Sequence, residues 1–87
     1  MATVIKRWED GSVAIAVEAG KDDMCSEGTH VHVYKNGRRT ETWISLTKKR
    51  GNDLDYKDIQ TAERLFDRNY REIDSLCDDL KKGKYDG

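Results

Sequence analysis

The chain has no proline, one phenylalanine and only two cysteines among its 87 residues. Cys25 and Cys77 are too few for the disulfide framework that a small secreted domain usually carries, so reduced thiols in a cytoplasmic setting are expected. Neither has companion ligands at metal spacing, and no metal or other cofactor is expected. No run of about 18 apolar residues occurs, so no membrane-spanning helix is expected. The first nine residues lack the apolar core of a signal peptide. There is no internal repeat and no low-complexity tract. An excess of charge of one sign is also missing: 16 Lys and Arg face 17 Asp and Glu, for a net charge of −1. That balance argues against a non-specific nucleic-acid binder, which normally carries a strong basic excess, and against an acidic DNA mimic. No phosphate-binding loop, dinucleotide fingerprint or nucleophile elbow is present.

What is present falls into two compositional regions. Residues 1–46 are rich in Val, Ile, Thr and Trp, which suit a pleated surface. Residues 53–82 place Asp, Glu, Lys, Arg, Leu and Ile at helical spacing. The expectation is one α+β domain over residues 1–87. An antiparallel sheet of about four strands spans 3–46, a linker 47–54, and one long C-terminal helix 55–82.

Residues 3–8 read as a first strand and Glu9-Asp10-Gly11-Ser12 as a turn, on the Asp-Gly signal. Residues 13–19 alternate, with Val13, Ile15 and Val17 on one side and Ala14, Ala16 and Glu18 on the other, as in a half-buried strand. Residues 20–28 read as a polar loop. The sharpest local signal follows. Asn36-Gly37 between two β-rich runs marks a two-residue hairpin, because both central residues of a type I′ turn need positive φ. A turn that short sets the register. Lys35 then faces Arg38, Tyr34 faces Arg39, Val33 faces Thr40, His32 faces Glu41, Val31 faces Thr42 and His30 faces Trp43. Val31, Val33, Thr40, Thr42, Ile44 and Leu46 share a core face. His30, His32, Tyr34, Arg39, Glu41 and Trp43 share the open one.

The linker carries the basic cluster Lys48-Lys49-Arg50, which could touch phosphates but in a loop is most simply solvated. Asp55 is a suitable N-cap, with Asp58 adding negative charge at the positive end of the helix dipole. Ile59, Ala62, Phe66, Tyr70, Ile73, Leu76, Cys77 and Leu80 then fall on one apolar stripe. Gly83 is the expected stop, with Lys81, Lys82 and Lys84 around the C-terminal end. A straight helix over this span is about 40 Å long, against less than about 20 Å for a short strand. It should overhang the sheet and leave Leu76 and Leu80 for a partner or a second copy.

The open face admits three readings. It could be a wet sheet face, which commonly carries His, Tyr, Arg and Glu. It could be a binding surface of His30, His32, Tyr34, Arg39, Glu41 and Trp43, since aromatics and Arg are enriched among interface anchors. Or it could be the site of a metal-independent ribonuclease. There His30 or His32 would be the base, Arg39 would hold the phosphate, and Glu41 or Tyr34 would assist. His30 and His32 two apart could also grip a metal, but two histidines make a weak site.

The segment Thr29-His30-Val31-His32-Val33-Tyr34, a Gly-containing turn and Glu41-Thr42-Trp43-Ile44-Ser45-Leu46 together resemble a bacterial and phage family of uncharacterised small proteins. In that family a His-Val-His-Val strand precedes a strand ending in a Trp-Leu-like pair. A patterned helix follows, with Asn69-Tyr70-Arg71-Glu72-Ile73 at the matching place here. The likeness covers roughly residues 28–80. Glu27-Gly28 stand where the family often has a proline pair, so the approach to the strand differs. The family is commonly encoded beside a small partner in toxin–antitoxin-like pairs, which implies an interaction protein. A more distant likeness is to HicA-type messenger-RNA interferases, through Gly28-Thr29-His30, but the N-terminal helix and basic excess of those enzymes are absent here. The function expected is therefore a small non-enzymatic protein that binds and regulates or inhibits a macromolecular partner, as an antitoxin or a phage inhibitor of host defence does. The alternative is the ribonuclease toxin. A protein partner is expected, no membrane is involved, nucleic acid is a lesser candidate, and a homodimer is compatible with the size.

Overall fold

A computed structural model describes residues 3–19, 28–46 and 49–81. Residues 20–27 with Cys25, read from the sequence as a loop, Lys48 of the basic cluster, and Lys82, Gly83 and Lys84, read as the helix end, lie outside the described residues. The fold is α+β. Strands β1 (Thr3–Asp10), β2 (Val13–Ala19), β3 (His30–Lys35) and β4 (Arg38–Ser45) follow one another as an antiparallel meander. A two-residue β5 (Lys49–Arg50) pairs on the outer side of β4, within the stretch read as linker.

The first strand runs two residues further than its sequence predicts, and the turn is only Gly11-Ser12. Gly11 takes φ 64° while Ser12 does not go positive. That is the sign pattern of a type II′ turn, for which glycine stands at the first central position. The tighter turn leaves Glu9 opposite Ala14 and Asp10 opposite Val13. A bulge at Ile5 then slips β1 by one residue, so that Val4 faces Glu18 and Lys6 faces Val17.

One face of the sheet carries the core. Val13, Ile15 and Val17 of β2, Val31 and Val33 of β3 and Ile44 of β4 meet Ala62, Leu65, Phe66, Ile73, Cys77 and Leu80 from the helices. Trp8, opposite Ile15, packs against the edge of this core, so it lies on the helix side of the sheet, away from Trp43. Leu46, expected on the core face, is 67 % exposed instead, since it follows the last paired residue of β4 and the ladder no longer aims it.

The helical region is two helices, α1 (Tyr56–Arg68) and α2 (Tyr70–Lys81), in place of the single long one predicted. Asp55 holds the N-cap position without a side-chain capping bond, and Asp58 of the first turn instead binds Lys35 at 2.9 Å. The break is at Asn69, with φ −111° and ψ 15°. Its backbone N–H and its side-chain amide both donate to the Leu65 carbonyl, at 3.2 and 2.9 Å. An asparagine side chain that competes for a helix carbonyl favours a helix end. The expected overhang is not found: the described residues span 34 Å at most, Leu80 is buried and Leu76 packs against the core. The apolar stripe is thus consumed within the chain.

Candidate functional site

The β3–β4 hairpin begins as its turn dictates. Asn36 and Gly37 take φ 52° and 78°, Lys35 faces Arg38 and Tyr34 faces Arg39. Beyond that second pair the register departs from the expected one. Trp43 stands opposite His32, Ile44 opposite Val31 and Ser45 opposite His30. Thr40, Glu41 and Thr42 together occupy the stretch opposite Val33 alone, so β4 holds two extra residues there. An insertion of two keeps the alternation of faces and changes every cross-strand partner after it. His32 and Glu41, the expected imidazole–carboxylate pair, do not face one another.

Three groups hold this irregularity in place. Thr40 Oγ1 donates to the Val33 carbonyl at 2.7 Å and accepts the Thr42 N–H at 3.2 Å. Threonine hydroxyls readily supply such local substitutes for ladder bonds. Asp53 accepts the Glu41 N–H at 2.8 Å and the Thr42 hydroxyl at 2.7 Å, and these two bonds hold its carboxyl below the usual carboxylate pKa. Gly51 runs directly behind the same stretch with φ 94°; a Cβ there would sit 2.6 Å from the Glu41 carbonyl oxygen.

The open face is organised by a residue that the sequence motifs did not single out. Glu18 lies on β2, on the side of Ala14 and Ala16, and is only 2 % exposed. β2 was expected to be half-buried, yet it is buried along both faces. Its alanines leave room for longer side chains from the flanking strands to lie across them. Tyr34, paired with Ala14, reaches along the sheet so that its hydroxyl donates to Glu18 Oε2 at 2.6 Å. Arg39 brings Nη2 to 3.1 Å from Glu18 Oε1, a charge contact made without the alignment of a hydrogen bond. Burial, the Glu18 bond and the Glu18 charge push the Tyr34 phenol up to about 12, so it remains a donor. The legible signal was a lone carboxylate between small residues in a strand otherwise made of Val, Ile and Ala; a buried charge of that kind needs a partner.

The remaining candidates gather around this network. Arg39 Nη2 also donates to His32 Nδ1 at 3.0 Å. A guanidinium can only donate, so that ring nitrogen is the acceptor. His30 Nδ1 donates to the Gly28 carbonyl at 3.0 Å, and its ring stands edge-on to His32 and Trp43, with centroids 5.3 and 5.8 Å away. From the other side, the Arg7 guanidinium lies 5.4 Å from the Tyr34 ring centroid, a cation–π position that sequence reading also missed. His30, His32, Tyr34, Arg39 and Trp43 are therefore brought together. Glu41 is set apart in the exposed bulge, its backbone held by Asp53.

This arrangement is a hydrogen-bonded surface with its rings packed edge to face. The guanidinium expected to hold a phosphate is engaged by Glu18 and His32, and Glu41, the carboxylate expected beside His32, is not its cross-strand neighbour. No cluster of three or more His, Cys, Asp or Glu suited to a metal occurs among the described residues. No helix among them is long and apolar enough to cross a membrane. No protein-family model, curated protein or solved structure matches the chain.

Proposed function

We propose that this chain is a non-enzymatic interaction protein that binds a macromolecular partner, most simply another protein, through the open face centred on Trp43, His30 and His32. The observation that carries this reading is the Glu18–Tyr34–Arg39 network. It fixes an aromatic and a guanidinium group, residue types that dominate interface anchors, before any partner arrives. Side chains already held in place lose less entropy on association. A buried carboxylate beneath them is a costly way to furnish a face that only meets water. In this reading the partner's activity is regulated or inhibited by occlusion, as in antitoxin-like or anti-defence inhibitors, and no chemistry is performed on it.

The test is parallel affinity capture from the host lysate with the wild-type chain and with Trp43→Ala, reading both protein and RNA. One stoichiometric protein held by the wild type and lost by the variant supports the proposal. Cleaved RNA in the wild-type sample, abolished by His30→Ala, would replace it with a ribonuclease.

A further inference from the structure

The edge strand β1 carries a second surface, independent of the open face. We propose that a second copy of this chain pairs antiparallel along β1, with the two-fold axis at Trp8, to join the two sheets into one.

The argument begins with the backbone. β1 lies at the end of the strand order, with its outer side unpaired among the described residues. Asp10 and Val13 flank a two-residue turn, and such residues form a hydrogen-bonded pair. Counting back from Asp10, Trp8 also bonds towards β2, whereas Arg7 and Glu9 direct their N–H and C=O groups outward. Any antiparallel partner must therefore bond to Arg7 and Glu9, and in a symmetric dimer the partner's outward residues are the same two. Three registers centre on this stretch. One places Arg7 against Arg7, another places Glu9 against Glu9, and the third places Arg7 against Glu9 twice. Like charges directly opposite destabilise a sheet pair and opposite charges stabilise it. Only the third register avoids repulsion, and it sets Lys6 against Asp10 as well.

The side chains agree with that register. Trp8 falls on the axis, in a non-hydrogen-bonded pair, where facing side chains come closest. It is only partly buried against the core of its own chain, so a second indole would cover apolar surface that one copy leaves open. Charged residues on an edge strand ordinarily discourage pairing. Here the two basic residues and the two acidic ones stand on opposite sides of Trp8, an order that rejects the other registers and complements itself. Arg7 and Glu9 already lie 2.8 Å apart within the chain. In the dimer their side chains would form a four-membered charge cluster on the open side, which stays uncovered for a partner.

Sedimentation equilibrium of the full chain over a wide concentration range tests this. The proposal expects a species of twice the 10.0 kDa chain mass. Arg7→Glu and Glu9→Arg should each weaken dimerisation by about tenfold or more, because each converts two symmetric attractions into repulsions. The double exchange Arg7→Glu with Glu9→Arg should restore it. Circular dichroism of each variant separates lost pairing from lost folding. A wild-type monomer up to about 1 mM, a dimer indifferent to either reversal, or a double exchange that fails to rescue while remaining folded would each overturn the proposal.

Discussion

Trp43 stands opposite His32, in the place that an unbroken two-residue hairpin would give to Glu41. The change is produced by two extra residues in β4, and those are held by Asp53 and Gly51, eleven and nine residues beyond Thr42. A segment after the hairpin thus decides which side chains meet on its open face.

Asp53→Ala should loosen the bulge first. Amide exchange at Glu41 and Thr42 should speed up while exchange at Val31 and Val33 stays slow. The same bonds make the bulge acid-sensitive. The Asp53 carboxyl is held below its ordinary value, so its contribution is present above about pH 4 and is lost as pH falls through the lowered folded value. Asp53→Asn should flatten that acid dependence. An acid profile identical to wild type would show that Asp53 is not the group responsible.

Gly51→Ala should be more damaging than Gly37→Ala. Both sites have positive φ, which costs an alanine about 1 kcal/mol. Only at Gly51 does the new Cβ strike backbone, at 2.6–2.8 Å from Glu41 and Thr42. Denaturant titration should show a loss of about 1 kcal/mol at Gly37 and at least about 2 kcal/mol at Gly51. Equal losses would mean that the β4–β5 approach is looser than described.

The Glu18 network gives a spectroscopic prediction. Tyr34 should ionise near pH 12, and Glu18→Gln should bring it back towards about 10. A phenol pKa raised by folding contributes stability that is intact below about pH 10 and is lost as pH rises through about 12. Glu18→Ala should cost about 2 kcal/mol, at the modest end for a broken buried ion pair because Arg39 is half in water. If Tyr34 ionises at about pH 10 in the wild type, the Tyr34–Glu18 bond is absent in solution.

Much of this was readable beforehand, and the remainder failed for identifiable reasons. The Asn36-Gly37 turn, the inward set Val13, Ile15 and Val17, and the apolar stripe from Ala62 to Leu80 are local patterns, and local patterns determine local structure. The register beyond Tyr34 was hidden because its cause lies at Asp53. The burial of Glu18 depends on Tyr34 and Arg39 from two other strands, which no pattern within β2 specifies. The helix break at Asn69 was masked by apolar spacing that continues through it; only a side chain competing for the Leu65 carbonyl marks it.

That break also predicts where truncation hurts. Leu80, expected to overhang, is 1 % exposed, and Leu80→Ala should cost about 2–4 kcal/mol. Leu46→Ala, at a residue expected in the core and found 67 % exposed, should change stability by less than about 0.5 kcal/mol. The reverse order in thermal unfolding would contradict this packing of Leu80 and Leu46.

The most direct test of the account is the cross-strand NOE pattern of His32. Backbone contacts from His32 to Trp43, with Val31 to Ile44 and His30 to Ser45, are predicted. They would establish the shifted register that sets Trp43 opposite His32 and separates the imidazole from Glu41. Contacts from His32 to Glu41 would contradict it, restore the imidazole–carboxylate pair and return the face to the ribonuclease reading.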